Sequence, residues 1–155
     1  MRYGYRAVNR FNIFSILRSI KRCDLLISGG GSLLQDYTST RSLLYYLTII
    51  RIAKHYGKKV MVYANGIGPV NNPKNRERVK KILASVDVIT LRDQSSADEL
   101  RQIGVERDDI QVTADPVFTL NSISPARRYV FSLAGAISPL DKDPVLYYYE
   151  QSGRT

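Results

Sequence analysis

The sequence predicts an α/β fold in which helices cover both faces of a parallel, Rossmann-like sheet. Two features support this prediction. Short apolar runs alternate with longer segments whose apolar residues recur at helical spacing, which implies right-handed crossovers between parallel strands. The apolar runs also contain few polar residues, as is typical of strands covered on both faces. With 155 residues, 44% of them hydrophobic and 24% charged, the chain suits one globular domain.

The first half of the chain is predicted to form, in order, a helix over residues 11–20, a strand over 24–28, a helix over 40–55 and a strand over 60–64. Leu44, Leu47 and Ile50 recur at helical spacing in the second helix, and Gly57 supplies a stop. Because a Rossmann-like sheet usually opens on a strand, we expect at least one strand and its loop to be absent upstream of the first helix.

The second half continues the same alternation. Pro73 suits the first turn of a helix that runs to about residue 85, and an apolar strand follows over residues 88–91. Ser95 or Ser96 can then cap a helix that Gly104 ends. A strand over residues 110–113 completes the pattern.

The formal net charge of +9 could attract nucleic acid, anionic lipid or acidic small molecules. The densest basic stretch spans residues 74–81, where Val79, Ile82 and Leu83 add an apolar stripe. A solvated helix face is therefore favoured over a nucleic-acid footprint. We expect no nucleic-acid partner.

Several classes of site are excluded by composition. A single cysteine, Cys23, allows no intrachain disulfide, favours a reducing compartment and is expected to be a small edge or core residue. The single His55 leaves no His/Cys metal cluster, so we expect no metal. No apolar run reaches the length of a membrane span and no signal peptide is visible, which predicts a cytoplasmic protein.

Small and polar residues directly follow the first two predicted strands, at the edge where open parallel sheets bind ligands. Glycines there let backbone amides approach an anion, although a tight turn that clears space for helix packing explains them equally well. For the second loop, simple turn chemistry is slightly favoured. The spacing matches neither a P-loop nor the dinucleotide fingerprint. The candidate ligand-binding residues of these loops are Gly29, Gly30, Gly31, Ser32, Asn65 and Gly66.

Arg92 is the sharpest candidate, because it follows a strand that should be buried. Its guanidinium would project from the ligand-binding edge, and this planar fork pairs well with carboxylate or phosphate. An ion pair with Asp93 or Asp115 is an equally good explanation. We expect Asp93 to cap or orient rather than to catalyse.

Four segments, in this order, resemble the polysaccharide pyruvyl transferase family. They are residues 28–36 (SGGGSLLQD), 64–70 (ANGIGPV), 91–95 (LRDQS) and 113–118 (TADPVF). Each lies at a predicted strand end, and the likeness covers roughly residues 5–135. The chain is most similar to the CsaB-like branch of the family, which acts in bacterial cell-wall polymer biosynthesis.

The resemblance implies one half of a two-domain fold similar to GT-B glycosyltransferases. It implies transfer of a pyruvyl group from phosphoenolpyruvate, a donor substrate rather than a cofactor, to a sugar as a ketal. The implied acceptor is a lipid-linked or cell-wall glycan containing N-acetylmannosamine. Its pyruvate ketal anchors S-layer proteins. A lipid-linked acceptor is also compatible with activity at the inner face of the membrane. By the same resemblance Arg92 matches the arginine that binds the donor.

The resemblance also implies parts that this chain lacks. We interpret residues 1–135 as an incomplete N-terminal domain and residues 136–155 as an interdomain start or aberrant tail, with the second domain absent. The family's catalytic histidine belongs to that second domain, and His55 is not its counterpart, so the chain is expected to be a truncated, inactive fragment. Two alternatives stay open: half of a GT-B-like glycosyltransferase, or a non-catalytic basic protein that binds glycan or nucleic acid.

Overall fold

The computed structural model describes residues 5–115, 130–132 and 145–149. These residues form four helices and seven strands. In chain order the elements are β1 (Tyr5–Asn9), α1 (Ile13–Arg22), β2 (Leu25–Gly29), α2 (Thr40–His55), β3 (Lys59–Asn65), α3 (Pro73–Leu83), β4 (Val88–Leu91), α4 (Gln94–Ile103), β5 (Gln111–Val112), β6 (Val130–Ser132) and β7 (Val145–Tyr149). Residues 116–118 of the fourth resembling segment, and most of the stretch 136–155, lie outside the described residues.

All seven strands belong to one sheet, in the order β1-β7-β6-β2-β3-β4-β5. From β6 to β5 every pair of neighbours is parallel. Only β7 runs against its neighbours, pairing antiparallel with both β6 and β1, so β1 points in the same direction as β2. A parallel sheet flanked by helices confirms the predicted α/β, Rossmann-like fold.

The strand β1 corrects one expectation. The sequence predicts that the opening strand is absent, yet Tyr5–Asn9 forms a strand ahead of α1. It lies at the edge of the sheet, with Val8 buried and its neighbours Ala7 and Asn9 exposed. An edge strand needs only one buried face, so it lacks the continuous apolar run that identifies β2, β3 and β4.

The core lies between the sheet and the helices. Leu47 and Ile50 of α2 are buried, as their spacing predicts, in one cluster with Leu26, Val60 and Val62 of the strands. Helices adjacent in sequence contact each other, so α1 to α4 form one layer. The described residues thus show helices over one face of the sheet, whereas the sequence predicts helices on both faces. On its other face Ile27 and Met61 are half-buried and Tyr63 and Val88 exposed.

Capping residues set the helix bounds, and one of them corrects the sequence prediction. Asp93, not Ser95 or Ser96, caps α4, because its side chain accepts from the Ser96 backbone N at 2.8 Å. Both serines lie inside the helix. Gly104 ends α4 in the left-handed region, φ +88°, as predicted. The capping role that the sequence suggests for Asp93 is confirmed.

Candidate functional site

The loops that follow β2 and β3 are joined by backbone hydrogen bonds beyond the sheet. Gly66 N donates to Gly31 O at 3.0 Å, and Gly68 N donates to Leu34 O at 2.9 Å. Leu34 also forms a parallel bridge with Ile67. The two loops that the sequence singles out therefore form one continuous surface at the carboxyl edge of the sheet.

Asn65 links this surface to the loop after β4. Its backbone O accepts from Arg92 N at 3.2 Å, and its Oδ1 accepts from Leu33 N at 3.3 Å. The residue is fully buried, so these bonds are shielded from water. Asn65 thus holds three loops in register.

Two buried polar atoms at this edge have no hydrogen-bond partner among the described residues: Asn65 Nδ2 and Ser28 Oγ. A buried donor without a partner costs about 1–3 kcal/mol, so such groups often mark sites that a ligand completes. Ala64, directly before Asn65, has φ +43° although it is not a glycine. This backbone conformation costs about 1–2 kcal/mol and is found preferentially at functional sites.

Arg92 lies at the centre of the assembled loops. Its Nη2 donates to Ser32 Oγ at 3.1 Å, and its Nε donates to Asp93 Oδ2 at 3.3 Å. A longer ion pair of 3.9 Å joins Nη1 to Asp115 Oδ2. The side chain is 32% exposed, so the guanidinium is anchored on both sides and still reaches solvent. Both ion pairs suggested by the sequence are present.

Gly66 supplies the space that Arg92 occupies. A methyl carbon built on Gly66 would lie 2.6 Å from Arg92 Nη2 and 2.6 Å from Ser32 Oγ. No side-chain carbon fits at that distance. A glycine is therefore required if the guanidinium and the Ser32 hydroxyl are to keep their positions.

The three glycines after β2 also have distinct geometric roles. A methyl carbon on Gly29 would lie 2.8 Å from Tyr63 O, so this position needs a residue without a side chain. Gly30 and Gly31 have φ +79° and +69°. A methyl on Gly30 would meet open space, so its glycine identity reflects the backbone conformation alone.

A hydrogen-bonded network fixes Asp93. Its Oδ1 accepts from Ser95 Oγ at 2.8 Å and from Ser96 Oγ at 2.6 Å, and Ser96 Oγ in turn accepts from Ile67 N at 2.9 Å. Hydrogen bonds from Ser96 and Ser95 hold the pKa of Asp93 well below its usual range. Asp93 is therefore a carboxylate at neutral pH and a fixed negative charge beside Arg92.

Sequence reasoning missed Ser96 and Asp36 as parts of this region. Asp36 accepts from the backbone N of Asn71 at 2.8 Å and of Asn72 at 3.0 Å, and from Asn75 Nδ2 at 2.9 Å. It ties the loop after β2 to the start of α3. The sequence did place Asp36 at the end of the segment 28–36. Its hydrogen-bond partners lie 35–39 residues further along the chain, so they could not be inferred from the sequence.

The residues expected to stand apart from the site do so. His55 is the last residue of α2, exposed and packed edge-on against Tyr56, at the amino edge of the sheet. Cys23 is buried, and burial raises the pKa of its thiol, as expected of a small core residue.

In the described part of the chain no group of His, Cys, Asp or Glu could hold a metal ion. No helix there is long and apolar enough to cross a membrane.

The structure thus brings together every candidate ligand-binding residue found in the sequence. Their common position is established, and their binding role remains a prediction.

The family model described as polysaccharide pyruvyl transferase matches residues 2–152. No curated protein and no solved structure matches the chain significantly.

Proposed function

This chain belongs to the polysaccharide pyruvyl transferase family, and we propose that it binds phosphoenolpyruvate at Arg92 as the pyruvyl donor for a sugar of a cell-wall polysaccharide. The observation that carries the proposal is the anchored guanidinium at the carboxyl edge of the sheet. Open parallel sheets bind their ligands there. An arginine fixed by Ser32 and Asp93 loses little conformational freedom when an anion arrives.

The donor carries a phosphate and a carboxylate, so it needs more than one group that attracts anions. Arg92 can pair with one of them through its planar fork. The backbone amides of Gly30 and Gly31, in a loop with positive φ, are of the type that surrounds anions in phosphate-binding loops. Asn65 Nδ2, a buried donor without a described partner, is a further candidate.

The contact between Arg92 and Asp115 is the longest of the three that hold the guanidinium. It is the one that an incoming anion would replace at least cost, since an ion pair of this length and exposure contributes little. Asp93 is held by three other hydrogen bonds and would stay in place. Donor binding would therefore exchange Asp115 for the ligand and keep Asp93 as the support.

The reaction needs a proton at the donor's methylene carbon, two new bonds from sugar oxygens to the adjacent carbon, and cleavage of the bond to phosphate, which leaves. An arginine guanidinium is too weak an acid to supply that proton, and Asp93 is ionised at neutral pH. His55 lies at the opposite edge of the sheet. We therefore assign binding and orientation to the described residues, and we expect the isolated chain to form no ketal.

The acceptor we propose is a lipid-linked or cell-wall glycan containing N-acetylmannosamine, modified in the cytoplasm at the inner face of the membrane. Only the resemblance to the CsaB-like branch supports this choice. The pyruvate ketal would add a carboxylate to the glycan, and surface-layer proteins could attach to it.

A ligand panel tests the donor assignment. Phosphoenolpyruvate should raise the thermal unfolding midpoint of the chain more than equal concentrations of phosphate or pyruvate, because it presents both anions. A larger effect of a nucleotide sugar would support the glycosyltransferase alternative instead. Salt-dependent retention on heparin or DNA without any response to phosphoenolpyruvate would support a non-catalytic binding protein.

The expected lack of turnover is tested separately. The purified chain is incubated with phosphoenolpyruvate and an N-acetylmannosamine glycoside, and acid-labile pyruvate on the sugar is measured. Clear turnover would show that a described residue donates the proton after all.

A further inference from the structure

The start of α1 carries an exposed apolar surface. Phe11, Ile13 and Phe14, which we call the apolar tip, are 77%, 44% and 81% exposed. Phe14 and Phe11 are the most exposed large hydrophobic side chains that the structure describes. Single exposed apolar residues are common, but larger exposed apolar patches mark interaction surfaces.

Basic residues flank the apolar tip in sequence. Arg10 lies over the Phe11 ring, 4.8 Å from its centroid, and Arg18 and Lys21 are exposed further along α1. The segment from residue 5 to residue 23 contains no Asp or Glu. The other side of α1 is anchored in the core through Ile16 and Ile20, both fully buried. Helix α1 is thus fixed to the fold and presents an apolar and basic surface to solvent.

The apolar tip and the candidate donor site lie at the same edge of the sheet. β1 points in the same direction as β2, so the loop that follows it leaves from the carboxyl edge. Four strands separate β1 from β4, which places the tip about 24 Å from the Arg92 loop at a strand spacing of about 4.8 Å. The tip therefore lies outside the donor site but at the same carboxyl edge of the sheet.

We propose that the apolar tip docks on the surface of an anionic lipid bilayer. Amphipathic helices that lie in a membrane interface combine buried Phe or Leu side chains with Lys and Arg on the flanks, and both components are present here. The absence of acidic residues between residues 5 and 23 favours a negatively charged surface over a neutral one. Docking in this way would turn the carboxyl edge toward the membrane, where a lipid-linked sugar is found.

The test is co-sedimentation of the full chain with vesicles of phosphatidylcholine alone or mixed with phosphatidylglycerol, without phosphoenolpyruvate. The chain should bind the mixed vesicles, and more weakly as salt is raised. Changing Phe11 and Phe14 together to Ser should weaken binding about ten-fold or more, because each ring loses its burial in the interface. Arg18→Glu should weaken it about five-fold or more, since each cation near such a surface contributes about 1 kcal/mol.

Two matched controls separate the tip from general effects. Val88→Ser removes an apolar side chain that is 44% exposed at the start of β4, at the opposite edge of the sheet, and Lys81→Glu makes the same kind of charge reversal on α3. Val88→Ser should leave binding unchanged, and Lys81→Glu should reduce it less than Arg18→Glu does. Equal loss with tip and control variants, or no binding by the wild-type chain, would overturn the proposal. The proposal would also be overturned if a tip variant changed the oligomeric mass in solution and left vesicle binding unchanged, because the tip would then contact a second copy of the chain. Because no donor is present, the result is independent of the function proposed for Arg92.

Discussion

Arg92 and Asp93 are neighbours in sequence, and their side chains contact each other at the candidate site. Arg92 Nε donates to Asp93 Oδ2 at 3.3 Å, while Oδ1 of the same carboxylate caps α4 through Ser96 N at 2.8 Å. One carboxylate therefore joins the guanidinium to the end of a helix. The position of the proposed donor-binding group depends on how that helix begins.

Replacing Asp93 should separate its capping role from its charge. Asp93→Ala removes the cap and is expected to lower the free energy of unfolding by about 1 kcal/mol, whereas Asp93→Asn retains an oxygen that can accept from Ser96 N and should cost less. Urea denaturation measures both. Asp98→Ala, an exposed change in the same helix, is the control. If Asp93→Ala lowers the free energy of unfolding no more than Asp98→Ala does, Asp93 is not an important cap.

Gly66→Ala should displace the guanidinium and leave the fold intact. The new methyl would overlap Arg92 Nη2 and Ser32 Oγ, which are the ends of side chains that can move. We expect phosphoenolpyruvate affinity to fall about ten-fold, as loss of one charge-assisted contact would cause.

The control for this variant is Gly57→Ala, at φ +67° with open space around it. It should cost about 1 kcal/mol of stability through backbone strain and leave donor affinity unchanged. Equal affinity of the Gly66 variant and the wild type, by calorimetry, would argue against the site geometry.

Asn65→Asp tests the buried amide. The variant keeps an oxygen that can accept from Leu33 N and replaces the donor Nδ2 with a second oxygen, so an anionic ligand should be repelled. Phosphoenolpyruvate affinity should fall about ten-fold or more. Asn75→Asp, at an equally buried asparagine beside Asp36, should lower stability without changing affinity. The same affinity in wild type and Asn65→Asp would leave Asn65 with a structural role only.

Stability should also depend on pH through Asp87, which lies away from the site. Burial alone would raise the pKa of Asp87, but hydrogen bonds from Lys54, the Val60 amide and Lys59 outweigh it and lower the pKa to about 2. Because the folded pKa lies below the unfolded value, the stabilisation is fully present above about pH 4 and is lost as the pH falls toward about 2. Its size is on the order of 1 kcal/mol, since the carboxylate is partly exposed and solvent screens it.

Asp87→Asn should therefore be less stable than the wild type at neutral pH and show a flatter loss of stability in acid. Urea denaturation across this pH range measures both effects. Asp108→Asn, at an exposed position, should follow the wild-type curve. If the free energy of unfolding of Asp87→Asn falls with pH as steeply as that of the wild type, other carboxylates cause the acid sensitivity.

The parallel strands and the candidate site could be predicted from the sequence for one physical reason. The central strands are short apolar runs in the sequence, and β2, β3 and β4 each end in residues that do not fit such a run. Gly29, Asn65 and Arg92 are therefore visible as strand ends, and strand ends of a parallel sheet meet at one edge.

Other features could not be predicted, because their cause lies in tertiary contacts. β1 is a mixed edge strand without an apolar run. Asp93, Ser95 and Ser96 are all good capping residues, and only the backbone conformation decides among them. The bond from Leu33 N to Asn65 Oδ1 spans 32 residues, so no local pattern reveals it.

The most direct test of the central claim is calorimetric titration of phosphoenolpyruvate into the wild-type chain and into Arg92→Ala, Arg92→Lys and Arg101→Ala. Arg101 is exposed and pairs with Asp98 of the same helix, so its variant controls for the loss of one positive charge. Arg92→Ala should weaken binding about ten-fold or more, since a charge-assisted contact contributes roughly 1.5–3 kcal/mol. Arg92→Lys should fall between the wild type and Arg92→Ala, because it keeps the charge and lacks the planar fork. Binding by Arg92→Ala as tight as that of Arg101→Ala would contradict the assignment of the donor site to Arg92.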